Sequence, residues 1–428
     1  MNSSNKYFLD CICEKIINNN QVILSNKVNG RWVKIPIECY EVLKYSVDNA
    51  LQLGNLYDVF QENEDKKYYE RVIDKLEHIG LLSDSILSEF RLERINKISF
   101  SPTNRCNLSC DYCCVDSKID NNDYLDTSQV RKVIDNIVKL NPRILTITGG
   151  EPLMRNDFLE LLDYIKEKFK GKIILSTNAT LIKEKQIDDI INGLYAIEIS
   201  LDGYDELSCS EVRGKGVFCK VLNVIRLIKL KKFENVGLSM VVGKNNEKDI
   251  EKFNKLNEDL GTTPIIRNFM NIGRGNENYS KYLNDKLDID YICKDDYVDE
   301  SSLCSNMCKA GVNQISIDHK GDVYPCPNLE YKDLKIFNIL EFNENILERI
   351  LNREMDIFNI FDKLKPVNIE SCKECKVNLF CTTCPSKIYT LKNNKKMFDA
   401  NCKKMKNILE PILSVSYTHL TLPTILLV

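Results

Sequence analysis

Between residues 97 and 276, short apolar runs alternate with helical stretches, and that rhythm limits the fold more than any other feature. The strand-like runs are KISFSPT, ILTITGG, KIILSTN, AIEISLDG, VGLSMVVG and TPIIRNF. Helical spacing fills the gaps, as in TSQVRKVIDNIVKL and DFLELLDYIKEKF. Alternation of this kind predicts parallel strands joined by crossover helices. Six such units stop short of a closed eight-stranded barrel. The expected class is therefore α/β, a partial (β/α)6 TIM-like barrel with ligands at the C-terminal strand ends.

The flanks differ from this core. Residues 21–37, QVILSNKVNGRWVKIPI, alternate in part around an Asn29–Gly30 hairpin signal. IECYEVLKYSVDN and DKKYYERVIDKLEHIGLL then show helical spacing, the second stopping at Gly80. Residues 1–90 thus read as a small winged-helix-like module. The core takes residues 95–290, and residues 300–412 form a cysteine-dense block poor in long regular elements, which needs metal to fold. Val415–Thr424 reads VSYTHLTLPT, similar to a translated sequencing-adapter frame. Residues 415–428 are accordingly set aside, and the natural C-terminus is expected to differ.

A formal net charge of −3 gives no global reason for nucleic-acid or membrane binding. No apolar run is long enough to span a bilayer. The start, MNSSNKYFLDCICEKIINNN, lacks the basic opening and apolar stretch of a secretory signal. The expectation is a cytoplasmic protein, whose 18 cysteines stay reduced and, where clustered, bind metal.

The stretch RCNLSCDYCC, Arg105–Cys114, ends the first core strand. Cys106, Cys110 and Cys113 form C-x3-C-x2-C, a loop able to wrap a soft metal centre. A structural zinc site would want a fourth ligand; three thiolates leave one corner open. With Tyr112 as the aromatic before the last cysteine, the motif resembles that of radical S-adenosylmethionine (SAM) enzymes. The later turns fit the resemblance: Gly149, Gly150, Glu151 and Pro152 after strand two, Ser176–Asn178 after strand three, Ser200–Gly203 after strand four, then VRGKGVF. It implies a 4Fe–4S cluster with an open iron site, SAM bound beside it, Glu151 at the SAM ammonium and Arg213 at its carboxylate. Tyr112, Gly149, Gly150, Pro152, Ser176, Asn178, Ser200 and Asp202 complete the implied cofactor site. Taken singly, GGEP is a turn and Arg213 a surface cation; their order along the chain favours the site. Cys114, next to Cys113, is expected to point away from the cluster.

The block from Cys308 resembles the SPASM domain. Cys308, twelve residues, Gly321, four residues and Cys326 are followed by Cys372-x2-Cys375-x5-Cys381-x2-Cys384-x17-Cys402. The departure is CTTC at Cys381–Cys384, where the family usually has one more residue. The resemblance implies two auxiliary 4Fe–4S clusters, one on Cys304, Cys308, Cys326 and Cys384, the other on Cys372, Cys375, Cys381 and Cys402. Zinc ribbons built on the CxxC pairs are the alternative. Cys11, Cys13, Cys39, Cys114, Cys209, Cys219 and Cys293 remain as small hydrophobes or plain thiols. His78, His319 and His419 have no partner motif, and no general acid or base is assigned.

The front module resembles the RiPP recognition element, which binds leader peptides by adding a strand to a sheet edge. All three parts together resemble radical SAM/SPASM peptide maturases of the thioether-forming (sactipeptide or ranthipeptide) type. Such enzymes imply a ribosomal, Cys-rich precursor peptide as partner and a flavodoxin or ferredoxin-type reductant, with no nucleic acid or membrane. The deoxyadenosyl radical takes a hydrogen from a precursor carbon, and a cysteine sulfur closes the bond. Other radical peptide crosslinks rank second and sulfatase (formylglycine) maturation third. Outside enzymes, the alternatives are an iron–sulfur or zinc sensor with a DNA-binding winged helix, and a scaffold.

Overall fold

A computed structural model describes residues 5–18, 20–86, 94–119, 122–293, 296–305, 308–311, 313–381 and 384–414. The adapter-like tail, 415–428, lies outside them. The chain divides into two compact units, Met1–Arg91 with Lys294–Cys308 and Asp362–Val428, and Leu92–Cys293 with Lys309–Phe361.

The first unit opens with β1 (Tyr7–Phe8), then β2 (Cys13–Asn18), β3 (Gln21–Asn26) and β4 (Trp32–Pro36), followed by α1 (Ile37–Asp48), α2 (Asn63–His78) and β5 (Leu82–Ser83). β2, β3 and β4 form an antiparallel sheet in that order, while β1 pairs with β5. Alternation in β4 sends Val33 and Ile35 into a core with Leu24, Leu43, Tyr69, Ile73 and Leu76. Asn26 closes the hairpin, its side-chain oxygen accepting from the Val28 amide at 2.8 Å. The Asn-Gly signal therefore marks the β3–β4 turn.

The second unit carries the expected alternation. Its parallel strands are β6 (Lys97–Phe100), β7 (Ile144–Ile147), β8 (Lys172–Thr177), β9 (Ala196–Ser200), β10 (Val236–Val242) and β11 (Thr263–Asn268). Between or after them run α3 (Thr127–Lys139), α4 (Phe158–Lys168), α5 (Ile187–Ile191), α6 (Glu206–Arg213), α7 (Val217–Leu230), α8 (Ile250–Leu260) and α9 (Gly275–Tyr282). Local rules place α3 well: Asp126 and Gln129 form a capping box, a device worth about 1 kcal/mol. Val130, Val133, Ile134 and Ile137 then line its buried face. β10 is buried almost throughout, as a strand covered on both faces must be.

The sheet continues beyond the six strands. β12 (Gln314–Ile317) pairs parallel with β6, and β13 (Asp322–Tyr324) and β14 (Phe337–Asn338) follow antiparallel. The order is β11-β10-β9-β8-β7-β6-β12-β13-β14. This strand was not among those expected, and its partner in register, Lys97, lies 217 positions before Gln314. Four helices complete the chain: α10 (Glu344–Leu351), α11 (Asp356–Asp362), then α12 (Pro385–Lys392) and α13 (Lys395–Ser414) in the first unit. Among the described residues no helix is long and apolar enough to cross a membrane.

Candidate active site

Because β6 to β11 run parallel, the loops after them share one end of the sheet. The loop after β6 holds Cys106, Cys110 and Cys113, and it is braced from several sides. Arg155 donates to the Pro102 and Leu125 carbonyls at 3.2 and 3.0 Å. From the turn after β11, the Arg274 amide donates to the Cys113 carbonyl (3.0 Å), its Nε to Cys110 (3.1 Å) and its Nη1 to Ser117 (3.0 Å). In α9, Lys281 pairs with Asp111 at 2.8 Å and Asn278 donates to the Asp111 carbonyl at 2.9 Å. The cysteine loop is thus held at its own carbonyls.

Donors also face the thiols. The Leu108 amide lies 3.4 Å from Cys106 Sγ and Asn178 Nδ2 3.9 Å from it. Arg213 Nη1 lies 3.6 Å from Cys110 Sγ. Burial pushes the Cys106 thiol up to about 11, relieved by the Leu108 amide and reinforced by Glu151 and the two neighbouring thiols. Burial raises Cys110 as well, and the Arg213 guanidinium opposes it. These cysteines fit an iron–sulfur cluster: the thiols would release their protons on binding, and the resulting thiolates would accept such N–H donors. Among the described residues no His, Cys, Asp or Glu group converges on one point as ligands of a single ion do.

The GGEP turn presses directly on the cysteine loop. A Cβ on Gly150 would lie 2.1 Å from the Arg105 carbonyl oxygen, and one on Gly149 2.5 Å from that of Thr103. Only glycine allows this approach. The Gly150 amide donates to the Thr103 carbonyl at 3.0 Å and the Glu151 amide to the Arg105 carbonyl at 2.7 Å. Pro152 opens a short 3-10 turn, Pro152–Met154. The fully buried Glu151 carboxylate accepts from the Leu153 amide (3.2 Å), Thr177 Oγ1 (2.8 Å) and the Asn178 amide (2.7 Å). Burial raises its pKa against those donors.

Asn178 links onward to Asn107 at 2.9 Å. Asp202, buried with φ at 60°, accepts the Val241 amide at 2.6 Å and forms an ion pair with Arg213. Arg213 also donates to the Tyr112 hydroxyl at 3.3 Å. Tyr112 packs edge-on to Tyr282, which stacks on Phe269. So Tyr112, Glu151, Asn178, Asp202 and Arg213 gather around the cysteine loop. Ser176 lies within β8, and Ser200 at the end of β9 bonds Ser239 at 3.5 Å instead of this network. Gly273 and Arg274 were not among the expected site residues, and Thr177 entered only as the middle of the Ser176–Asn178 turn after the third strand.

The later cysteines are placed mainly in the first unit. Burial raises the Cys372 thiol, with Ser371 and Lys406 opposing and Cys375 and Cys402 adding to the rise. The Cys375 amide bonds the Cys372 carbonyl at 3.0 Å, a tight CxxC turn. Cys381, Cys384, Cys304 and Cys308 belong to the same unit, and Cys326 to the other. Cys114 is exposed and Cys39, Cys209 and Cys293 are buried.

Residues 100–256 match the radical SAM superfamily and residues 308–376 the SPASM iron–sulfur cluster-binding domain. The mycofactocin maturase MftC of Mycolicibacterium smegmatis is 28% identical over 263 residues, covering 57% of this chain and 67% of that protein. The Fe-coproporphyrin III synthase of Methanosarcina barkeri is 31% identical over 212 residues, 48% of this chain and 51% of that one. The chain therefore spans about two thirds or less of these relatives' lengths. Among solved structures, SAM-bound SuiB of Streptococcus suis aligns with a TM-score of 0.51 at 16% identity, over 89% of this chain and 98% of SuiB. SAM-bound anSMEcpe gives 0.51 at 20% identity, over 74% and 99%. Both show the fold. The cofactors of this domain pair are a 4Fe–4S cluster, SAM and auxiliary iron–sulfur clusters. The chain is a radical SAM enzyme that also carries a SPASM domain.

Proposed function

We propose that the protein matures a ribosomally made, Cys-rich precursor peptide by forming thioether crosslinks. The observation that carries the reading is the braced Cys106–Cys110–Cys113 loop, with Arg213 and Asn178 aimed at its sulfurs, in a chain similar to a peptide maturase. Bound there, the cluster and SAM supply a 5′-deoxyadenosyl radical, and the auxiliary clusters an electron acceptor. Cys106, Cys110 and Cys113 hold the first cluster. Gly149, Gly150, Glu151 and Pro152 shape the SAM pocket with Tyr112, Ser176, Asn178, Ser200, Asp202 and Arg213. Cys304, Cys308, Cys326 and Cys384 hold one auxiliary cluster, and Cys372, Cys375, Cys381 and Cys402 the other.

The protein's own contribution is to bind, orient and keep water from the radical. Residues 1–90 act as the leader-binding module, the three-stranded sheet of the first unit offering an edge to an extended peptide. A flavodoxin or ferredoxin supplies electrons in the cytoplasm.

The test is anaerobic incubation of the reconstituted protein with SAM, dithionite and a short Cys-containing peptide. The expected result is 5′-deoxyadenosine together with a peptide that has lost one hydrogen pair per bond and whose cysteine resists alkylation. Radical formation without any change across Cys-containing peptides would remove the thioether reading. Replacing Cys106 with Ala should abolish SAM cleavage, whereas Cys114→Ala should keep it; the reverse outcome overturns the cluster assignment.

A further inference from the structure

The first unit contains a cavity of about 940 Å³. Its walls are β4, the last turn of α2 and residues 300–304, with Trp32, Lys34, Lys75, His78, Glu300 and Cys304 among the lining. β4 has one strand neighbour among the described residues, β3, so its other edge faces this space. The Asn26 amide donates to the Arg31 carbonyl at 2.9 Å. In an antiparallel ladder, alternation then turns the N–H and C=O groups of Trp32 and Lys34 away from β3. Pro36, which has no N–H, falls in the same outward set and ends the edge.

A piece of the chain already lies here. Trp32 Nε1 donates to the Leu303 carbonyl at 3.1 Å. The Ser305 amide and hydroxyl donate to the Gly30 carbonyl at 3.3 and 3.0 Å. Glu300 pairs with Lys34 at 2.8 Å, with side-chain exposures of 23% and 12%. Lys34 also donates to the Leu413 carbonyl at 3.2 Å. This segment shows what the groove accepts: a backbone carbonyl on the indole and a carboxylate on the lysine. With Glu300 withdrawn, Arg31, Lys34 and Lys75 would face Asp74 as the remaining acidic lining residue.

Resting on the reading that this unit binds a precursor leader, we propose that the groove docks an extended acidic peptide along β4, its carboxylate replacing Glu300 on Lys34. Charge complementarity then selects the partner, and residues 300–305 act as the internal competitor it displaces. Because Cys304 lines the same groove, docking also moves a cysteine assigned above to an auxiliary cluster.

Trp32 is the only tryptophan in the chain, so its emission reports on the groove. The full-length protein is titrated with blocked peptides that share alternating apolar residues and carry Glu, Gln or Lys between them. The Glu peptide is expected to shift Trp32 emission and to bind about tenfold tighter than the Gln peptide, with added salt weakening it. Lys34→Gln should remove that preference, Lys34→Arg should keep most of it, and Glu300→Gln should tighten Glu-peptide binding. Equal binding of the Glu and Gln peptides, or no change in Glu300→Gln, overturns the acidic-peptide inference while leaving peptide docking intact. If no peptide shifts the emission, leader docking on this edge falls as well.

Discussion

Asp202 and Arg213 are 1% and 10% exposed at their side chains, and each is the other's answer to burial. Removing one partner of such a pair leaves a buried charge uncompensated, at a cost of about 3–5 kcal/mol. Asp202→Asn should therefore lower stability by that amount in chemical denaturation, more than a surface Asp→Asn change. Glu330 sets a different condition. Burial, reinforced by Asp318, pushes its carboxyl up to about 8 from a usual 4.5. Between those values the folded protein holds a proton that the unfolded chain has lost, so stability falls as pH rises through the window. Glu330→Gln should flatten that fall, which melting temperatures taken at intervals from pH 5 to about 8 would record.

Among the elements, the turn between β11 and α9 bears directly on the cysteine loop. Gly273 sits at φ 54°, and a Cβ there would lie 2.4 Å from the Cys113 carbonyl oxygen and 2.5 Å from that of Cys114. An alanine adds left-handed strain of about 1–3 kcal/mol and drives the loop away from Arg274. Gly273→Ala should lower both unfolding free energy and the iron retained by the Cys106 loop, read against a variant whose other cysteines are intact. If iron content at that loop is unchanged, the brace is not needed for the cluster. This brace was not legible in the sequence, because Arg274 reaches Cys110, Cys113 and Ser117, more than 150 residues back along the chain.

At the scale of the molecule, the Cys106–Cys110–Cys113 loop and the cysteines Cys372, Cys375 and Cys402 lie in different compact units. Cys402→Ala should therefore lower iron per chain while SAM cleavage to 5′-deoxyadenosine persists; loss of both together would tie the sites to one assembly. Local sequence determined the six strand positions, the capped α3, the Asn-Gly hairpin and the cysteine spacing, since each is written within a few neighbouring residues. Tertiary structure alone decided that β12 extends the sheet beside β6, and that Glu151 is sealed under Thr177 and Asn178. It also brought residues 300–305 to lie along β4. Periods of two and of 3.6 residues reveal which face a segment buries. They carry no mark of the partner that buries it, because that partner arrives from a distant part of the chain.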